Sequence, residues 1–182
     1  MGRRPEPEIR QRLLDACTDH ALDHGLPDRL DPLVRATGTS ARMLIYHFGT
    51  RDALLSAVLE RARQRQLATF GDLLRVRPDR PYTDTLAEAW AFMTGPEGRP
   101  YLRMFGLWRD GAVQRHRPGF RRAATTDWLG PLEEGLRGIG RPELATLVLA
   151  VIRGLLMDLD ATADHERADA AFAHFLGTLE HD

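Results

Sequence analysis

Apolar positions recur three and four residues apart along almost the whole chain, and no stretch alternates apolar and polar residues as a half-buried strand would. That period predicts an all-α protein of about nine helices with short connections. The first spans Pro7–His24, with Ile9, Leu13, Ala16, Cys17 and Ala21 as its apolar stripe and Gly25 as its stop. A short helix over Asp31–Thr37 follows, with Asp31 as cap, Pro32 in the first turn and Gly38 behind it. Ser40 caps a third helix, Ala41–His47, and Phe48-Gly49 turns the chain into a long fourth, Arg51–Arg75, headed by Thr50. The tract VRPDRPYTD is the clearest break. Beyond it the pattern gives helices over Thr83–Met93, Pro100–His116, Gly119–Arg137, Pro142–Ala163 and Glu166–Leu179.

Composition changes this picture only slightly. With 182 residues the chain is one large domain or two small ones. A net charge of -1 gives no global nucleic-acid signature. The distribution says a little more: residues 1–65 carry eleven Arg against nine acids, and the remainder fourteen against seventeen. Every basic residue other than His is Arg, whose fork of donors fits phosphate. Cys17 is the single cysteine, so no intramolecular disulfide can form, which agrees with a reducing cytoplasm. The start MGRRPEPEIRQR lacks the apolar stretch of a secretory signal. The run LATLVLAVIRGLLMDLDA is too short, and too broken by Arg153 and Asp158, to span a bilayer. A cytoplasmic protein with no membrane partner is expected.

The chemistry concentrates near the front. A helix, a short helix, a glycine-containing turn and another helix form the layout of a helix-turn-helix. In LVRATGTSARMLIYHF, Leu33 and Val34 face the first helix and Leu44 and Phe48 pack inward, leaving Ala41, Arg42, Met43, Tyr46 and His47 to include the outward positions. Arg binds guanine or phosphate, and Met can touch a thymine methyl. Tyr and His can donate to phosphate oxygens. Packing and capping are the ordinary roles of such residues when they occur singly.

GTSARMLIYHFGTRDALLSAV resembles the signature of the TetR/AcrR family of bacterial transcriptional regulators, most strongly over residues 9–60. The resemblance implies a DNA-binding head at residues 1–50, a connecting helix at 51–75 and a helical effector-binding and dimerisation body at 76–182. It implies that Ser40–His47 reads DNA, that Tyr46 and His47 contact phosphate, and that Arg51 takes the place of the usual Lys. Thr50 lies beside that contact, and Arg3 and Arg4 form either an arm on DNA or a solvated tail. Three positions depart from the family pattern: Ile45 replaces a Tyr, His20-Ala21 replaces Leu-Phe, and Asp31 stands near the start of the second helix. The implied protein is a ligand-responsive homodimeric repressor on a palindromic double-stranded operator, released by a small-molecule effector.

In the body, Trp90 and Met93 share one face with Leu86; Tyr101, Met104, Phe105 and Trp108 form another group; Phe120, Ala124 and Trp128 form a third. Such stripes suit either a core or an apolar ligand pocket. The resemblance favours the pocket, with Arg109, Asp110, His116 and Arg153 as candidate polar contacts. The last two helices carry more apolar surface than one partner covers. Leu147, Val151 and Leu155 on one, with Phe172, Phe175, Leu176 and Leu179 on the other, are the candidates for a two-fold interface. Burial inside one subunit is the alternative.

No enzyme signature accompanies these features. There is no nucleophile elbow, phosphate loop or zinc metalloprotease motif. His20 and His24 lie four apart beside Asp19 and Asp23, but no third metal ligand is evident. No catalytic residue, metal or cofactor is expected. The competing reading is a helical small-molecule-binding protein or enzyme that retains a disused helix-turn-helix.

Overall fold

The structure is a computed structural model that describes residues 7–105 and 119–180. Among these residues there are nine α-helices and no strand. They are α1 (Pro7–His24), α2 (Asp31–Thr37), α3 (Ala41–Phe48), α4 (Arg51–Leu73), α5 (Tyr82–Thr94), α6 (Arg99–Phe105), α7 (Phe120–Arg137), α8 (Ala145–Thr162) and α9 (His165–Glu180). A single 3-10 turn, Pro142–Leu144, leads into α8. The expected helix over Pro142–Ala163 is therefore split, since the two glycines and the proline of GIGRPE favour a tighter turn before the regular helix.

The chain divides into two compact units. The first comprises Met1–Leu67 with Pro100–Arg121, and the second Ala68–Arg99 with Arg122–Asp182, so the division falls inside α4.

In the first unit α1 packs on α2 and α3, which also pack on each other. Leu13, Leu14, Cys17, Ala21 and Leu22 of α1 meet a core that includes Leu33, Leu44 and Phe48. The inward face of α4 adds Leu54, Leu55, Val58, Leu59 and Ala62. Burying apolar side chains in this way stabilises by about 1.5–3 kcal/mol each. Asp31 does not cap α2, as its spacing suggests. Leu30 occupies the cap position in a helical conformation without a side-chain bond, and Asp31 serves instead as the acidic residue of the first turn.

In the second unit α9 packs against α8 and α5. The Trp90 ring of α5 stacks on Phe172 of α9, with centroids 4.7 Å apart, and its Nε1 donates to Asp169 Oδ1 at 2.7 Å. At the other end Thr83 Oγ1 donates to Glu180 Oε1 at 2.5 Å. Helix α7 meets the start of α5 through Gly135, where an added Cβ would lie 1.8 Å from Tyr82 Cζ. Only glycine lets that ring lie on the helix. The Tyr82 hydroxyl donates to Leu74 O at 3.2 Å and to Pro131 O at 3.4 Å.

Candidate nucleic-acid interface

Helix α3 is short, and its ends are set by local chemistry. Thr37 Oγ1 donates to Leu33 O at 2.7 Å and closes the end of α2. Gly38 then reverses the chain at φ +64°, a conformation that costs glycine little. Ser40 is extended and accepts the Met43 N–H on its Oγ at 3.2 Å, the cap expected from sequence. At the far end the Gly49 N–H bonds Ile45 O at 2.8 Å. Thr50 then caps α4 by accepting the Ala53 N–H at 3.0 Å.

These ends give α3 two faces. Leu44 and Phe48 are buried, while Ala41, Arg42, Met43 and Tyr46 are exposed, Met43 at 40% and Tyr46 at 47%. Met43 stands beside Arg42 on this open face. Ile45, where the family pattern has a tyrosine, is half-buried. Arg10 of α1 lies over the Phe48 ring at 4.8 Å from its centroid, a cation–π contact between α1 and α3.

One expectation requires correction. His47 does not belong to the outward set. It is 8% exposed, its Nδ1 is buried without a hydrogen-bond partner, and its ring meets Tyr46 edge-on at 5.2 Å. Helical geometry explains this, because residues three and four beyond Leu44 are His47 and Phe48 and share its inward face. Arg51 is partly committed: it donates from NH2 to Pro27 O at 3.3 Å and from NH1 to Asp52 Oδ1 at 3.3 Å. It thereby ties the start of α4 to the loop after α1. Arg3 and Arg4 lie outside the described residues.

Sequence reasoning missed the ionic network behind this surface. Arg61 Nε donates to Asp15 Oδ1 at 2.8 Å, Arg65 NH2 to the same oxygen at 2.7 Å, and Arg65 NH1 to Asp19 Oδ1 at 2.5 Å. Gln11 Nε2 takes the other Asp15 oxygen at 3.1 Å. Burial pushes the Asp15 carboxyl up, but the bonds from Arg61, Gln11 and Arg65 together outweigh it and hold the group at about 2. The four-residue spacing on each helix was the available signal. Nearby, Cys17 is fully buried, which lifts its thiol to about 11 and leaves it inert, as its place between Leu13 and Ala21 suggests. The rings of His20 and His24 stack at 4.5 Å. Among the described residues no group of His, Cys, Asp or Glu could hold a metal ion.

The residues expected to bind an effector fall in both units, and some lie outside what the structure describes. Trp90 is buried, stacks on Phe172 and donates to Asp169. Met93 is buried in the same unit. Trp128 is half-buried and lies 5.8 Å from Phe70, whose ring also meets Phe92 edge-on at 5.8 Å. Phe70 and Phe92 were not singled out from sequence. Arg153 donates to Thr125 Oγ1 at 3.2 Å. Tyr101 and Met104 lie in the first unit, Met104 buried and Tyr101 half-buried. Trp108, Arg109, Asp110, His116 and the Phe105 side chain lie outside what the structure describes.

The expected dimer residues also divide. Phe172, Leu176 and Leu179 are buried within their own subunit, a correction that follows from the packing of α9 on α5 and α8. Leu147 remains 49% exposed and Met157 50%, while Val151, Leu155 and Phe175 are half-buried. No helix among the described residues is long and apolar enough to cross a membrane.

No protein-family model matches the sequence, and no curated protein matches it. Solved structures do. A TetR-family transcriptional regulator from Cytophaga hutchinsonii superposes with a TM-score of 0.71 at 14% identity, over 94% of this chain and 93% of its own. The multidrug binding protein EbrR, complexed with imidazole, gives 0.62 at 23% identity, over 96% and 93%. Salmonella enterica GusR gives 0.60 at 19% identity, over 96% of each chain. The chain therefore has the fold of TetR-family transcriptional regulators along nearly its whole length.

Proposed function

We propose that this protein is a homodimeric DNA-binding transcriptional repressor that releases a palindromic operator when a small molecule binds. The observation that carries the reading is the exposed set Ala41, Arg42, Met43 and Tyr46 on a helix capped by Ser40 and anchored by Leu44 and Phe48. Small residues at the front of α3 permit close approach to a major groove. Arg42 and Met43 supply base contacts, and Tyr46, Thr50 and Arg51 supply the phosphate contacts that fix register. The reading places the protein in the cytoplasm, with DNA and the effector as its partners, and assigns it no catalysis and no cofactor.

The effector acts by linkage. It binds the DNA-incompetent arrangement more tightly than the competent one and draws the population towards it. Helix α4 is unbroken from Arg51 to Leu73, so a shift in its last turns is carried to its first. The aromatic group of Phe70, Phe92 and Trp128 supports a planar apolar effector, in line with the multidrug binding named for EbrR. Subunits pair through the open side of α8 and α9, where Leu147, Val151, Leu155, Met157 and Phe175 lie.

Selection from a random duplex library tests the reading. A regulator enriches a two-fold symmetric site and binds it with a steep negative salt slope. Arg51→Ala weakens binding on every sequence, whereas Arg42→Ala relaxes preference at one position of each half-site. Failure to enrich any sequence at low salt would favour a helical protein whose helix-turn-helix is disused.

A further inference from the structure

Helix α3 buries few side chains of its own, so its orientation is inherited from α1 and α2, on which it packs. Helix α1 is tied to α4 by charged side chains, and apolar residues of both helices are buried in the same unit. Apolar burial is non-directional and tolerates small slides. Charged pairs do not. Asp15 and Asp19 stand one helical turn apart on α1, and Arg61 and Arg65 stand one turn apart on α4. Arg65 spans both carboxylates, and Asp15 Oδ1 receives both arginines while Oδ2 takes Gln11. Charge-assisted bonds of this kind are directional and short. Two arginines are matched by two aspartates, leaving no surplus charge for phosphate. The first unit extends through Leu67, so the network lies wholly inside it.

We propose that Asp15, Asp19, Arg61 and Arg65 are positioning residues for DNA recognition: they fix the angle at which α1 carries α3, and none of them touches DNA. The inference rests on the DNA-binding reading given above. It differs from the obvious alternative, that two arginines four residues apart on a helix beside a DNA-binding motif are themselves phosphate contacts.

Salt dependence separates the two, because a lost phosphate contact lowers the slope of log K against log salt by about 0.9. The measurement uses the full-length dimer and the duplex that the wild-type protein selects, well below the melting temperature. There the folded fraction is unchanged, and a purely stabilising role leaves affinity alone. Asp15→Asn, and separately Arg61→Gln with Arg65→Gln, are expected to weaken binding about three- to fivefold, as partly exposed ion pairs do. The salt slope should match wild type. Reversing all four charges (Asp15→Arg, Asp19→Arg, Arg61→Asp, Arg65→Asp) should restore affinity, and it remains informative if a single variant fails to fold. A slope reduced by about 2 in the double arginine variant would make these residues phosphate contacts and overturn the proposal. Unchanged affinity in the neutralised variants, or no rescue on reversal, would also overturn it. If wild type selects no DNA at all, the DNA-binding reading falls and takes the inference with it.

Discussion

Asp15 and His20 lie five residues apart on α1 and respond to acid in different windows. For Asp15, burial is outweighed by Arg61, Gln11 and Arg65, and the folded carboxyl titrates at about 2 against an ordinary 3.8. Its contribution is fully present above the ordinary value and is lost as pH falls through the folded one. For a network this open to water that contribution is about 1 kcal/mol. His20 is also shifted down, by burial first and then by His24 and by Arg35 of α2, with Asp23 opposing. A histidine shifted down binds its proton more readily when unfolded, so stability is present above pH 6.5 and declines as pH falls through the folded value. Urea midpoints should therefore drop between pH 7 and about pH 5. His20→Gln should flatten that decline, while Asp15→Asn should lower the midpoint evenly across that range and converge on wild type only below about pH 4. An undiminished decline in His20→Gln would count against this assignment. A steric prediction concerns Gly135. Placing a methyl where the Tyr82 ring lies should cost about 1–3 kcal/mol, so Gly135→Ala should melt several degrees lower. Tyr82→Phe, which loses only the hydroxyl, should lose about 1 kcal/mol.

At the scale of elements, periodicity predicts where helices lie far better than which apolar stripe faces inward. Every expected helix is represented among the described residues, with ends displaced by one or two residues apart from the 3-10 turn ahead of α8 and the far end of Pro100–His116, which lies outside the described residues. Caps explain that accuracy at α3, where Ser40 and Gly49 bound eight residues on both sides. Faces were harder to read. His47 looked outward because it follows exposed Tyr46, yet its three-residue spacing from Leu44 places it inside. On α9 the phenylalanines at 172 and 175 look equivalent in sequence, and only the placement of Trp90 separates them. Truncation should expose the difference. Phe172→Ala opens a cavity under Trp90 and should cost about 3–5 kcal/mol of subunit stability. Phe175→Ala, on the half-open side, should cost far less in a denaturation curve. Equal losses would mean that both rings serve the same core. The caps and the exposed positions 41, 42, 43 and 46 of α3 were legible because they depend on local spacing. The aromatic group of Phe70, Phe92 and Trp128, drawn from three helices, depends on tertiary packing that no local pattern reports.

For the whole molecule, a net charge of -1 means that bulk attraction to DNA cannot supply much affinity. On the proposed reading, tight binding comes from two heads acting together on one duplex. Their half-sites should be about 34–36 Å apart, one turn of B-form DNA. Pairing makes the second contact intramolecular and raises avidity by about 100-fold or more without any new contact. That demands a subunit interface, and the open side of α8 and α9 is the candidate, with Leu147 and Met157 about half exposed and Phe175 beside them. Glutamates at Leu147 and Phe175 should bury unpaired charge in a self-complementary patch, twice over across a two-fold axis. The double variant Leu147→Glu, Phe175→Glu should sediment as a monomer at concentrations where wild type is a dimer, with an unchanged helical spectrum. On a palindromic duplex its affinity should fall by about two orders of magnitude, whereas on a single half-site it should match wild type. A variant that stays dimeric would move the interface elsewhere. A monomeric variant that binds the palindrome as tightly as wild type would show that each head reads DNA alone.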